Sequence, residues 1–151
     1  MGATGSKQAT SVKGRYCPVA KVLIVDQELS DLEFYASVLR SQGFHVQVCT
    51  SYEEGLCHLN AEPFDMVVVD QGSPQFEGKC VLERSIEKNR HLPVLVVARC
   101  HDMHCYLDAM QLGAVDYLAE PVAASDLQWV VDTHVRTSAP MGAEAQPGVQ
   151  E

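Results

Sequence analysis

Two aspartates close two short apolar runs, Lys21-Val-Leu-Ile-Val-Asp26 and Met66-Val-Val-Val-Asp70. If both runs are buried strands of one parallel sheet, both carboxylates open into the same crevice. Like charges in such a crevice repel, and one of them holds a proton unless a cation shares the site. Mg²⁺ suits a pair of this kind, taking one or two carboxylates together with water or phosphate oxygens. A carboxylate beside such a metal can act as a nucleophile toward a phosphoryl group.

A second cluster is Cys100-His101-Asp102-Met103-His104-Cys105. His101, His104 and Cys105 stand at the i, i+3, i+4 spacing that shares a helical face, which fits either a zinc site or a loop-to-helix junction rich in Cys and His. The junction is preferred, because Asp102 serves as a helix cap and no second ligand group lies near. A Cys–His nucleophile lacks an orienting acid and an oxyanion hole. No glycine-rich nucleotide loop occurs. The chain is therefore not expected to be an enzyme.

The elements that hold these residues alternate along the chain. Strands are predicted at Lys21–Asp26, His45–Cys49, Met66–Asp70, Pro93–Ala98 and Val115–Ala119. Between them, Leu32, Tyr35, Ala36 and Leu39 mark a helix stopped by Gly43. Ser51 and Glu54 form a capping box opening a second helix that ends before Pro63. A loop with Gly72, Pro74 and Gly78 leads to a helix carrying Val81, Leu82 and Ile86. Asp102 caps a fourth helix ending at Gly113, and Leu127, Val130, Val131 and Val135 mark a fifth. Continuous apolar strands are the signature of a parallel sheet covered on both faces. The expected fold class is α/β, a flavodoxin-like doubly wound five-stranded parallel sheet of order 2-1-3-4-5 with five helices. Ligands in such a sheet bind where the strand order reverses, between the first and third strands, which is where Asp26 and Asp70 end.

The totals fit one domain of 151 residues with 46% hydrophobic and 21% charged residues. We expect a flexible tail over residues 1–19, a domain over 20–137 and a second flexible tail over 138–151. The opening Met-Gly-Ala-Thr-Gly-Ser matches the loose acylation pattern only weakly. The net charge is −9, and residues 21–151 carry eight basic against twenty acidic residues. That balance argues against nucleic-acid binding. No apolar run approaches a membrane span, so no membrane contact and a cytoplasmic location are expected. The six cysteines form no CxxC pair and are read as reduced thiols.

These residues resemble the receiver domains of two-component response regulators. The resemblance is carried by Val-Leu-Ile-Val-Asp26, by Val-Val-Val-Asp70-Gln-Gly-Ser-Pro74 with Gly78 behind it, by Leu92-Pro93-Val-Leu-Val-Val, and by Gly113-Ala-Val-Asp-Tyr117-Leu-Ala-Glu120-Pro121. It spans residues 20–137 and implies that Asp70 accepts phosphate from a histidine kinase. It also implies that Asp26, with Asp70, helps hold Mg²⁺, and that Tyr117 is a switch aromatic beside Pro121. Three family positions are changed. A second metal-binding acid after the first strand is Gln27, whose neutral oxygen offers less to an ion. A hydroxyl at the end of the fourth strand is Ala98. A lysine at the end of the fifth strand is Glu120, so an attraction worth about 4 kcal/mol at an effective dielectric of 20 changes sign. Together these imply weak Mg²⁺ binding and weakened phosphorylation.

Arg99 follows Ala98 where the family prefers a small residue. Either it points to solvent, or it forms a charge pair with Glu120 or Asp70. On the last helix Trp129 falls opposite the apolar arc, and the preceding helix carries Met103 and Met110 on a broad apolar surface. The face made by the last two helices and the strand between them serves partners in the resembling family. Trp129, with Met103 or Met110, is thus expected to anchor a homodimer or a signalling protein, unless the C-terminal tail covers the ring. The expected function is phosphorelay signalling through protein contacts, by a stand-alone regulator or a piece of a longer one. The alternative is a phosphorylation-independent pseudo-receiver scaffold.

Overall fold

The computed structural model describes residues 19–136. The expected tails and the acylation pattern lie outside these residues, apart from position 19. Five strands form from the apolar runs: β1 (Lys21–Val25), β2 (His45–Cys49), β3 (Met66–Asp70), β4 (Val94–Ala98) and β5 (Asp116–Ala119). Their β-branched residues favour the pleated backbone, and the runs are too short to make stable helices. All pair in parallel, in the order β2-β1-β3-β4-β5, which is the doubly wound order. Val25 lies opposite Cys49 on one side and Val69 on the other, so β1 and β3 end level with one another.

The helices are α1 (Leu29–Ser41), α2 (Tyr52–Ala61), α3 (Lys79–Lys88), α4 (Met103–Leu112) and α5 (Ala124–Val131). Alternation along the strands divides the core in two. Val22, Ile24, Met66, Val68, Leu95 and Val97 pack against α1 and α5. Leu23, Val25, Val67, Val69, Val94 and Val96 pack against α2, α3 and α4. Each fully buried Val, Leu or Ile contributes roughly 1.5–3 kcal/mol, so the two-sided burial of the strands fixes the topology.

Local signals place the helix ends. Ser51 Oγ accepts the Glu54 N–H at 3.2 Å. The return bond of the expected capping box goes to the Thr50 N–H, one residue early, at 3.2 Å from Glu54 Oε1. Asp102 Oδ1 accepts the Cys105 N–H at 3.0 Å. Gly113 ends α4 with φ of 110°, in the left-handed region that favours glycine. After Val131 the last helix widens into a π-type turn over Asp132–Arg136, and Val135 still packs on the core.

An acidic pocket at the carboxyl ends of the strands

Three strand ends meet at the switch point, each fixed by the ladder. The Asp26 N–H donates to the Cys49 carbonyl at 3.1 Å, that of Gln71 to Val97 at 2.8 Å, and that of Glu120 to Ala98 at 2.8 Å. Asp26 is 1% exposed and Asp70 8%. The Asp26 Oδ1 accepts the Glu28 N–H at 2.8 Å at the entrance to α1. Its Oδ2 is buried and receives no hydrogen bond among the described residues. The Asp70 Oδ1 accepts the Gly72 N–H at 3.2 Å, and Oδ2 lies 3.4 Å from the Tyr52 hydroxyl. The loop after Asp70 turns tightly, since a Cβ on Gly78 would stand 2.1 Å from the Asp70 carbonyl oxygen.

The pocket gathers more acid than the strand ends alone predicted. Oxygens of Asp26, Asp31 and Glu120 lie within 4.8 Å of one another. Asp31 comes from the first turn of α1, four residues after the exposed Gln27. The Glu120 carboxylate accepts a short hydrogen bond from the hydroxyl of Tyr35, a residue that is 2% exposed. A cleft of about 260 Å³ beside them is lined by Asp31, Phe34, Tyr35, Glu120, Pro121 and Val122. Pro121 itself is exposed.

Burial and crowding govern the charges. Burial raises the Asp26 carboxyl from 3.8 to about 7; the Glu28 N–H opposes the shift, and Asp70, Glu120 and Asp31 add to it. Asp70 is raised by burial, against the pull of Gly72, Tyr52 and Arg99. Glu120 is raised by burial too, opposed by Tyr35 and Arg99, with Asp31 and Asp70 reinforcing the rise. Tyr35 and Tyr52 are pushed above their ordinary range, chiefly by burial and then by their carboxylate partners. Both therefore act as donors.

Of the two alternatives for Arg99, the structure removes the pair at the strand ends. Its guanidinium forms no ion pair with Glu120 or Asp70; it lies 3.4 Å from Glu28 Oε1 and 3.8 Å from Asp31 Oδ2. The side chain is 60% exposed. It runs from the end of β4 to the N-terminal turn of α1, whose acids lie closer to solvent. Ala98 is fully buried and offers no donor.

Tyr117 is 6% exposed and points inward. Its hydroxyl donates a short hydrogen bond to Gln71 Oε1 and accepts the Asp102 N–H at 3.1 Å. The rings of His101 and Tyr106 pack against it at 5.3 and 5.6 Å. The Cys/His cluster does not converge on a ligand. Cys105 is buried and bonded to the Pro74 carbonyl, whereas Cys100, His101 and His104 are exposed. Burial pushes the Cys105 thiol up to about 11, away from the thiolate that metal binding or attack requires. The five described cysteines are free.

The family profile described as response regulator receiver domain matches residues 22–132. The chain belongs to the response-regulator receiver family. The receiver is 25% identical over 123 residues to the transcriptional regulatory protein ZraR of Salmonella typhimurium, covering 82% of this chain and 28% of that protein. It is 30% identical over 108 residues to the probable transcriptional regulator ycf27 of Guillardia theta, covering 72% and 42%. It thus spans less than half the length of these relatives. Among solved structures, a response regulator receiver domain protein from Clostridium thermocellum superposes with a TM-score of 0.72 at 27% identity, over 82% of this chain and 99% of that one. A CheY-like receiver domain from Methanospirillum hungatei shares the fold with a TM-score of 0.73 at 23% identity, over 79% and 95%.

Receiver domains are signalling modules of two-component systems, generally not enzymes, and they interact with histidine kinases and effector domains. They typically bind Mg²⁺ at an acidic pocket. Family members are mostly soluble and cytoplasmic, and no described helix of this receiver is long and apolar enough to cross a membrane. The oxygen-only donor set and the bare Asp26 Oδ2 fit a hard divalent cation. The exposed Gln27 does not reproduce the two-acid arrangement at the end of β1.

Sequence reasoning singled out Asp26, Asp70, Tyr117 and Glu120 but passed over Asp31, Tyr35, Tyr52 and Gln71. Tyr35 reads as core at helical spacing, and only its hydroxyl links it to the pocket. Asp31 and Tyr35 stand at i, i+4 on α1, a signal that helical spacing could have exposed.

Trp129 and Met103 are each 60% exposed, and Met110 lies at the margin of exposure. The Trp129 ring stacks edge-on against His134 at 6.3 Å.

Proposed function

We propose that this chain is an atypical cytoplasmic receiver over residues 20–137, in which Asp70 accepts a phosphoryl group poorly and the signal passes through protein contacts. The observation that supports it is the setting of Asp70. Its Oδ2 has only a long contact with the Tyr52 hydroxyl, so one oxygen remains for attack. The transfer forms a bond from that oxygen to phosphorus as the bond to the donor histidine breaks, the electron pair staying with the imidazole.

The surroundings oppose that step. Glu120 stands where the family's lysine would pair with the phosphoryl group, and Ala98 donates nothing. Burial raises the Asp70 carboxyl, with Asp31 adding to the rise, and so disfavours the anion that must attack. An ion held by Asp26 and Asp70 alone would bind weakly, because Gln27 removes one formal charge. Partners meet the receiver at Trp129 with Met103 or Met110, either a second copy through α4, β5 and α5 or a signalling protein.

A second reading is a pseudo-receiver scaffold that keeps the fold without phosphate chemistry. It is favoured by the hydrogen bonds that already hold Tyr117 inward, leaving a phosphate-driven switch little to move. Beryllofluoride with Mg²⁺ separates the readings in an amide NMR titration. The receiver reading expects saturable shifts at Gly72, Ala98 and Tyr117 that vanish in Asp70→Asn. Spectra unchanged by the mimic favour the scaffold.

A further inference from the structure

We propose that this receiver binds a divalent cation between Asp26, Asp31 and Glu120, so that the acid in the lysine's place brings back the positive charge its own presence removes. This rests on the receiver reading and changes which residues hold the ion.

Oxygens of the three residues lie within 4.8 Å of one another, and oxygens sharing one Mg²⁺ or Ca²⁺ ion are at most about 4–5 Å apart. Each comes from a fixed point: the end of β1, the first turn of α1 and the end of β5. Asp31 follows Gln27 by four residues and lies in the first turn of α1, so it supplies from the helix the acid missing after β1.

The independent observation is Asp26 Oδ2. It belongs to a carboxylate that is 1% exposed, and it is buried without a hydrogen-bond donor among the described residues. A buried carboxylate oxygen normally has a donor or an ion. Among the described residues no ion pair supplies one, since Arg99 pairs with Glu28 and Asp31 and lies largely in solvent. The Tyr35 hydroxyl engages Glu120 Oε2, which orients that carboxylate and leaves Oε1 for the cation. Asp70 lies outside the trio. The ion would therefore sit toward α1, beside the phosphoacceptor.

Mn²⁺ binding by the full chain, read by electron paramagnetic resonance without a phosphodonor, tests this. The wild type is expected to take up one Mn²⁺ that Mg²⁺ displaces. Glu120→Gln and Asp31→Asn should each weaken uptake by roughly tenfold or more, with amide NMR spectra showing the fold kept. Asp70→Asn should change it less than about twofold. Absence of uptake at millimolar Mn²⁺ overturns the proposal, as does uptake lost in Asp70→Asn but kept in Glu120→Gln and Asp31→Asn. The outcome is separable from the phosphoacceptor reading: Mn²⁺ held by the trio with no phosphate ever reaching Asp70 sinks that reading and leaves this site intact.

Discussion

Asp26 shows how burial and crowding act on one side chain. Its carboxyl ionises near pH 4 in the unfolded chain and near 7 in the fold. Between those values the folded state binds more protons than the unfolded state, so stability falls as pH rises through the window. The groups facing it, Asp31, Asp70 and Glu120, are acids, with Arg99 at the rim and the Tyr35 hydroxyl on Glu120. The buried acids Asp70 and Glu120 shift the same way. In chelator, the receiver is predicted to melt at a higher temperature at pH 5.5 than at 7.5. Asp26→Asn keeps the oxygen that accepts the Glu28 N–H and removes the charge. At pH 7.5 in chelator it should stabilise the fold by about 1–2 kcal/mol, a partial gain because the amide buries an NH2 group of its own. Calorimetry of the two proteins at both pH values checks this, and a destabilised variant would speak against repulsion as the cause.

At the scale of elements, the Tyr117 hydroxyl ties the start of β5 to the loop after β3 and the entrance to α4. Tyr117→Phe leaves Gln71 Oε1 and the Asp102 N–H without that partner, and the expected cost is about 1–3 kcal/mol in chemical denaturation. A cost near zero would show that the three elements are not coupled through this residue. Gly78→Ala meets a harder obstacle, because the added methyl collides with backbone at Asp70. It should distort the loop before α3 and shift the amide resonances of Gln71 and Gly72. The elements themselves were legible in the sequence. Runs such as Met66–Asp70 admit one interpretation once they must be covered on both faces, and Gly43, Ser51, Asp102 and Gly113 mark helix ends by local chemistry. The links between elements were not legible. For Arg99 the sequence left two outcomes, solvent or a pair with Glu120 or Asp70, the second because strand ends adjoin in the sheet. Its partners come instead from the entry turn of α1, the exposed Glu28 and the half-buried Asp31. Tyr35 to Glu120 and Tyr117 to Gln71 join residues 85 and 46 positions apart, and no local pattern records such pairs.

For the whole molecule, the sheet buries its two faces and leaves Trp129 and Met103 outside. Trp129→Ala removes little buried surface, so the stability should change by no more than about 0.5 kcal/mol and the melting temperature should stay nearly unchanged. If the ring anchors a partner or a second copy, sedimentation of the variant will show association lost. A large loss of stability would mean that the ring is part of the core. The central claim concerns Asp70, and mass spectrometry after incubation with acetyl phosphate and Mg²⁺ tests it most directly. The account predicts slow, partial addition of one phosphoryl group, stable in acid and labile in base, mapping to Asp70 and absent from Asp70→Asn. A chain that never acquires the group, or acquires it equally in Asp70→Asn, would contradict it.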